Sequence, residues 1–155
     1  MSAETFDFLT ELLDRQLGPT PPLVVDQQRI ADFAACTLDK QWIHVDVDRA
    51  AAGPFGGTIA HGYLTLSLLV TLVERLALFP SGFTVINYGI DKLRFPAPLP
   101  SGSEIALSAR VTNITPKGDG RALATLACEV NSPAAKAPVL VADVLYLFVA
   151  DQTDS

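Results

Sequence analysis

The chain has 155 residues, enough for one domain with a sizeable core, and 49% of them are hydrophobic, which excludes a disordered chain. The formal net charge is −6, and its 11 basic residues form no run, so the basic cluster that nucleic acid or an anionic membrane surface requires is missing. Charged residues make up only 18%, low for a small domain, and part of the apolar surface is expected at the interface of a homodimer.

Ser2 is placed to cap a first helix, with Glu4 near its positive end. Phe6, Leu9, Leu13 and Leu17 recur at helical spacing and predict one apolar face. This acidic start lacks the basic opening and apolar run of a secretory signal, so a cytoplasmic location is expected. Gly18-Pro19-Thr20-Pro21-Pro22 is a stiff connector, and Leu23-Val24-Val25 a short strand. Asp26 caps a second helix over 27–38, with Ile30, Phe33, Ala34 and Thr37 on one side. The string Asp39-Lys40-Gln41-Trp42-Ile43-His44-Val45-Asp46 reads as neither regular helix nor strand. Residues 48–52 form a short helical turn, stopped by Gly53-Pro54-Phe55-Gly56-Gly57. A long helix over 61–79 is apolar nearly all round, which predicts that other structure wraps it. Glu74 and Arg75 interrupt it and Pro80 bounds it, so it does not read as a membrane span.

The remainder is strand-like. Residues 83–95, 104–114, 121–131 and 139–149 are β-branched, aromatic or alternating, with turns at 96–102, 115–120 and 132–138. Consecutive strands usually pair with their neighbours. The order predicts an α+β fold, a curved antiparallel sheet wrapped around the long helix. One domain is expected over 1–155, with an N-terminal helical extension at about 1–22.

Two cysteines, Cys36 and Cys128, lie in apolar surroundings without metal-ligand spacing, and are expected to be reduced core thiols with no zinc site. Asp39 and His44 are residue types suited to proton transfer near neutral pH. Their spacing does not place them on one helical face, so a loop must bring them together; a helix end followed by a surface loop is the commoner explanation of such a pair. Gly62 stands at the head of the buried helix, where backbone N–H groups lack intrahelical partners and a carbonyl oxygen can approach closely. The plain alternative is a glycine required for helix packing. His61 is either a second catalytic imidazole or, as is commoner beside such a turn, a residue that fixes the loop by hydrogen bonds. Lys92 and Arg94 alternate on one strand and so share a face, where they meet a phosphate or pair with acidic neighbours. Trp42, Phe55 and Tyr63 are aromatics for an apolar channel, a core or a dimer interface.

Taken jointly, these strings resemble the MaoC-like dehydratases, the (R)-specific enoyl-thioester hydratases of the hot-dog fold. The family signature D-x-N-P-x-H-x-D, followed by I-[AV]-H-G, is matched by Asp39 through Asp46 and by Ile59-Ala60-His61-Gly62. The NodN-like branch is the nearer likeness, through Gln41-Trp42-Ile43-His44, Gly53-Pro54-Phe55-Gly56 and the string from Thr58 to Leu66. The resemblance implies that Asp39 and His44 hold one water between them and that the Gly62 N–H is the oxyanion donor. It implies reversible hydration of a trans-2-enoyl thioester, carried on CoA or a carrier protein, with no further cofactor. Gln41 and Trp42 replace the family's Asn and Pro and shape the pocket, with His61 and Tyr63 in support. Two rivals share the fold: an acyl-CoA thioesterase, and a non-catalytic acyl-thioester-binding subunit.

Overall fold

The computed structural model describes residues 6–151, so the cap expected at Ser2 lies outside the described residues. The first helix, α1 (Asp7–Glu11), is shorter than its spacing predicts. Leu13 instead makes a parallel bridge to Val111, and β1 (Gln16–Leu17) pairs with Arg110 and Ala109. The physical reason is the adjacent sheet edge: the Asp14 N–H donates to the Val111 carbonyl at 2.9 Å, and an edge that binds backbone overrides a weak helical periodicity. The Phe8 ring packs on Phe83 and Phe148, and Leu9 is buried beside them.

Strand β2 (Leu23–Val25) covers a second stretch of the same edge. Helix α2 (Gln27–Thr37) begins as expected, with the Asp26 carboxylate accepting the Arg29 N–H at 2.8 Å. It buries Ile30 and Ala34, whereas Cys36 and Thr37 point outward. Cys36 is therefore an exposed thiol, because it falls off the 30/34 stripe. Two short helices follow, α3 (Trp42–Val45) and α4 (Val47–Ala51). The 39–46 string thus holds a turn of regular helix that its composition does not announce. Asp46 caps α4 through the Arg49 N–H.

Helix α5 (Gly62–Glu74) is the long central helix, and it ends short of residue 79. The Arg75 guanidinium donates to the carbonyls of Pro21 and Pro22, and Ala77 takes a positive φ of 55°, which turns Leu78 into the core. Strands β3 (Phe83–Arg94), β4 (Ser103–Gly118), β5 (Arg121–Asn131) and β6 (Leu140–Ala150) complete an antiparallel sheet in the order β1-β4-β5-β6-β3, with β2 also on β4. Strand β4 runs on through the residues expected as a turn. The hairpin to β5 tightens to Asp119-Gly120, both at positive φ, a pair suited to the twist of a two-residue connection.

Among the four long strands, β4, β5 and β6 pair in series, and β3 does not. Strand β3 lies against β6, not β4, so the chain from Phe95 to Ser101 must cross the fold. It crosses at the head of α5, where the Ala60 N–H donates to the Leu99 carbonyl and the Ser101 N–H to the Thr58 carbonyl. Alternate residues of the sheet, among them Leu107, Val111, Leu126, Val130, Val144 and Phe148, form the core against Leu64, Leu69, Leu72 and Val73. This sheet curled on one helix is the hot-dog fold. The helix is not wrapped all round, however: Tyr63 is 67% exposed and Val70 37%, because the sheet covers only one side of α5.

Candidate active site

Helix α2 ends on Leu38, which adopts a left-handed φ of 65° and turns Asp39 toward the head of α5. The Asp39 side chain is exposed, and only a long 3.5 Å contact joins its carboxylate to the Gln41 N–H. The Gln41 side chain is also exposed; its backbone carbonyl accepts the His44 N–H and starts α3. That single turn aims His44 inward, where it is 6% exposed.

Three bonds lock α3 in place. The Gln27 Nε2 donates to the His44 carbonyl at 2.8 Å, the Thr58 hydroxyl donates to Gln27 Oε1, and the Ile59 N–H donates to the Ile43 carbonyl. The His44 Nδ1 donates to the Ile59 carbonyl at 2.7 Å. This bond assigns the proton of the neutral ring to Nδ1 and leaves the Nε2 lone pair free as a base. Burial lowers the His44 pKa; the Ile59 carbonyl raises it, His61 lowers it and Asp39 raises it, and the net shift is downward. A ring held below its ordinary value is neutral at pH 7 and ready to accept a proton.

His61 stacks on His44 with ring centroids 3.8 Å apart and planes at 25°, and Phe33 packs on its other neighbourhood at 5.0 Å. Its Nε2 donates to the backbone carbonyl of Asp39 at 3.0 Å, the kind of bond a loop-fixing histidine makes. Its Nδ1 is buried with no hydrogen-bond partner among the described residues. Asp39, His44 and His61 bring ligand-type atoms within 4.8 Å of one another. The two rings stack instead of converging, so their in-plane lone pairs run along nearly parallel planes, a poor arrangement for a shared tetrahedral ion.

Gly62 opens α5, and its N–H therefore has no intrahelical acceptor. The Phe95 ring occupies the space where a side chain would stand: a Cβ on Gly62 would lie 2.9 Å from Phe95 Cδ2. Glycine is needed here for close approach. A cavity of about 300 Å³ is lined by His44, Gly62, Phe55, Phe95, Thr65, Leu99 and Val139, with Ile59, Ala60, Ala97 and Pro98. Its inner wall is buried and its outer rim is formed by the partly exposed Phe55 and Phe95. One volume thus contains a base, a backbone donor at a helix N-terminus and an apolar lining, with a carboxylate beside the base.

The other residues singled out in the sequence lie elsewhere. Trp42 does not line the cavity; its ring carries the Arg49 guanidinium at 4.3 Å and closes on Gly53. Tyr63 sits on the exposed side of α5, edge-on to Phe95. A bulge between Asp91 and Arg94, with Lys92 at a φ of 53°, breaks the simple alternation expected of the two cations. Lys92 pairs with Asp143 at 2.7 Å, which raises its pKa, and lines a groove with Ser108 and Arg110 outside this cavity. Arg94 donates to the Leu93 carbonyl and is absent from the cavity wall. Gln27, Thr58, Phe33 and Phe95 support the site without having been legible. Their partners lie far along the chain, and no local spacing signals such contacts.

Residues 9–131 match the MaoC-like domain family, so the chain belongs to that family. It is 38% identical over 149 residues to 3-hydroxyacyl-thioester dehydratase Z of Mycobacterium tuberculosis, covering 94% of this chain and 99% of that protein. It is 34% identical over 144 residues to nodulation protein N of Rhizobium leguminosarum, covering 92% and 89%. Among solved structures, a monoamine oxidase regulatory protein from Archaeoglobus superposes with a TM-score of 0.75 at 26% identity, covering 91% and 92%.

Proposed function

We infer that this chain is an (R)-specific enoyl-thioester hydratase, a hydro-lyase that adds water reversibly to trans-2-enoyl thioesters and dehydrates 3-hydroxyacyl thioesters. The observation that carries this reading is the free Nε2 side of a neutral, buried His44, placed beside Asp39 and in one cavity with the Gly62 N–H. In hydration, the His44 Nε2 takes a proton from a water held between it and Asp39 as the oxygen attacks C3. The electrons of the C2–C3 double bond move into an enolate whose oxygen is stabilised by Gly62, and the Asp39 carboxylate relays to C2 the proton that His44 took from the water, so the pair ends the turnover as it began. Dehydration runs through the same steps in reverse. The chain's own groups supply both proton transfers and the electrophilic stabiliser, so this route calls for no cofactor beyond the CoA or carrier-protein portion of the substrate.

Asp39→Asn and His44→Gln should each reduce crotonyl-CoA hydration by about 10²–10⁴-fold without altering the circular dichroism spectrum. Near-normal rates in both variants would refute the site assignment. Loss of enoyl absorbance without release of free thiol separates hydration from thioesterase action, and an (S)-3-hydroxy product would refute the stereochemical assignment.

The same reading includes a homodimer in the cytoplasm. The outer edge of β3 pairs with no strand among the described residues, and Tyr88 and Ile90 on that strand are exposed next to Val70 of α5. Joining two such edges would cover the open side of both central helices. A monomer in sedimentation at micromolar concentration would exclude this arrangement.

A further inference from the structure

Thr65 carries a hydroxyl that the fold leaves underused. It lies one turn into α5, is 2% exposed, and lines the same cavity as His44 and Gly62. A threonine or serine in a helix ordinarily donates to the carbonyl four residues back, and two others here do so well: Thr37 to Phe33 and Ser67 to Tyr63, each at 2.7 Å. The corresponding contact from Thr65 to the His61 carbonyl is 3.5 Å long. That carbonyl already accepts the N–H groups of Leu64 and Thr65, at 3.0 and 3.2 Å, so its two lone pairs are taken. A hydrogen bond at 3.5 Å is weak, and a buried hydroxyl without a better partner is unfavourable. The hydroxyl therefore has a proton to give and one wall of the cavity to give it from.

Direction supports the same conclusion. Side chains on a helix lean toward its N-terminus, and residues three apart share a face. The Thr65 hydroxyl accordingly projects over the first turn of α5, beside the Gly62 N–H. We propose that Thr65 is a second hydrogen-bond donor to the thioester oxygen, acting with the Gly62 N–H. This assignment rests on the enoyl-thioester reading of the cavity, and it makes the oxyanion site a pair of donors, one from backbone and one from side chain. Proton transfer at C2 concentrates negative charge on that oxygen, so the second bond strengthens in the transition state and acts chiefly on kcat.

The test uses Thr65→Val, which keeps the shape and removes the hydroxyl, and Thr65→Ser, which keeps the hydroxyl. With crotonyl-CoA, Thr65→Val should lower kcat by about a hundredfold, the order seen for loss of one oxyanion donor, and raise KM by only about threefold, because the weaker bond to the ground-state oxygen is lost as well. Thr65→Ser should retain kcat to within about threefold of the unaltered protein, because the donor is still present. A merely structural threonine would shift the thermal midpoint and leave kcat alone, and that result overturns the proposal. Binding of butyryl-CoA, which has the thioester oxygen but cannot be hydrated, is measured in parallel by calorimetry. If the unaltered protein binds butyryl-CoA but hydrates nothing, the hydratase reading fails. Weaker binding by Thr65→Val then still supports the contact, and equal binding refutes it. Failure of the unaltered protein to bind or hydrate refutes both.

Discussion

Replacing Gly62 with alanine separates the backbone donor from the packing around it. The new Cβ would stand 2.9 Å from Phe95 Cδ2 and 3.0 Å from two other ring atoms, closer than van der Waals contact allows. Overpacking of this kind costs about 1–3 kcal/mol in a tight core. Phe95 is 37% exposed, so its ring can swing outward and the cost should fall near the low end. Against it stands the advantage of alanine over glycine in a helix and in the unfolded chain, about 0.4–1 kcal/mol. The two nearly cancel, and stability should change by no more than about 1 kcal/mol, a shift of a few degrees in Tm. Activity should not be spared. In the proposed reaction the Phe95 ring and the first turn of α5 form the wall for the thioester oxygen, and a displacement of several tenths of an ångström should lower kcat by about 10–100-fold. Crotonyl-CoA hydration, followed by the loss of enoyl absorbance, reads this directly. If the clash is the cause, adding Phe95→Ala to Gly62→Ala should restore kcat to within about threefold of Phe95→Ala alone. A Gly62→Ala protein with full kcat would refute the argument that close approach to this N–H drives the reaction.

The pH dependence follows from His44. Its folded-state pKa is lowered by burial, so hydration should be sustained through pH 7 and decline only as pH falls below the ordinary histidine value of about 6.5. Stability has the same sign: between the lowered folded value and about 6.5 the unfolded chain binds more protons, so the contribution is full above that window and lost as pH falls through it. An acid limb of kcat/KM centred above 6.5 would contradict this. Thiol labelling should distinguish the two cysteines. Cys36 is exposed and should react in the native protein, whereas burial, with Asp143 nearby, pushes the Cys128 thiol up to about 12 and should protect it until unfolding. Two fast thiols per native chain would refute that placement. Tyr88→Asp or Ile90→Asp should shift sedimentation from dimer to monomer by burying a charge at the proposed edge; an unchanged dimer would move the interface elsewhere.

The four long strands and the central helix were legible because each spans enough residues for its periodicity to stand out. Asp26 was legible as a cap because capping acts over three residues. The failures share a physical cause. Leu13 and Leu17 follow a helical spacing, yet an open strand edge offered their backbone better hydrogen bonds. The α3 turn is too short to stabilise itself and exists because Gln27, Thr58 and Ile59 hold it. The early end of α5 reflects an Arg75 contact with two carbonyls far back in the chain.

The residue types for acid–base chemistry, and the glycine at a helix head, were determined by the sequence, since chemical identity and local spacing are properties of the chain alone. Whether they form one site was decided only by the tertiary structure. The crossing of β3 to the far side of β6 carries Phe95 and Leu99 over the head of α5, and the left-handed Leu38 turns Asp39 toward it. The Ile59 carbonyl then selects the His44 tautomer, and Trp42 is drawn away to Arg49 and Gly53. These contacts join residues well separated in sequence, and their geometry depends on how strands and helices close over one another, which no local pattern encodes.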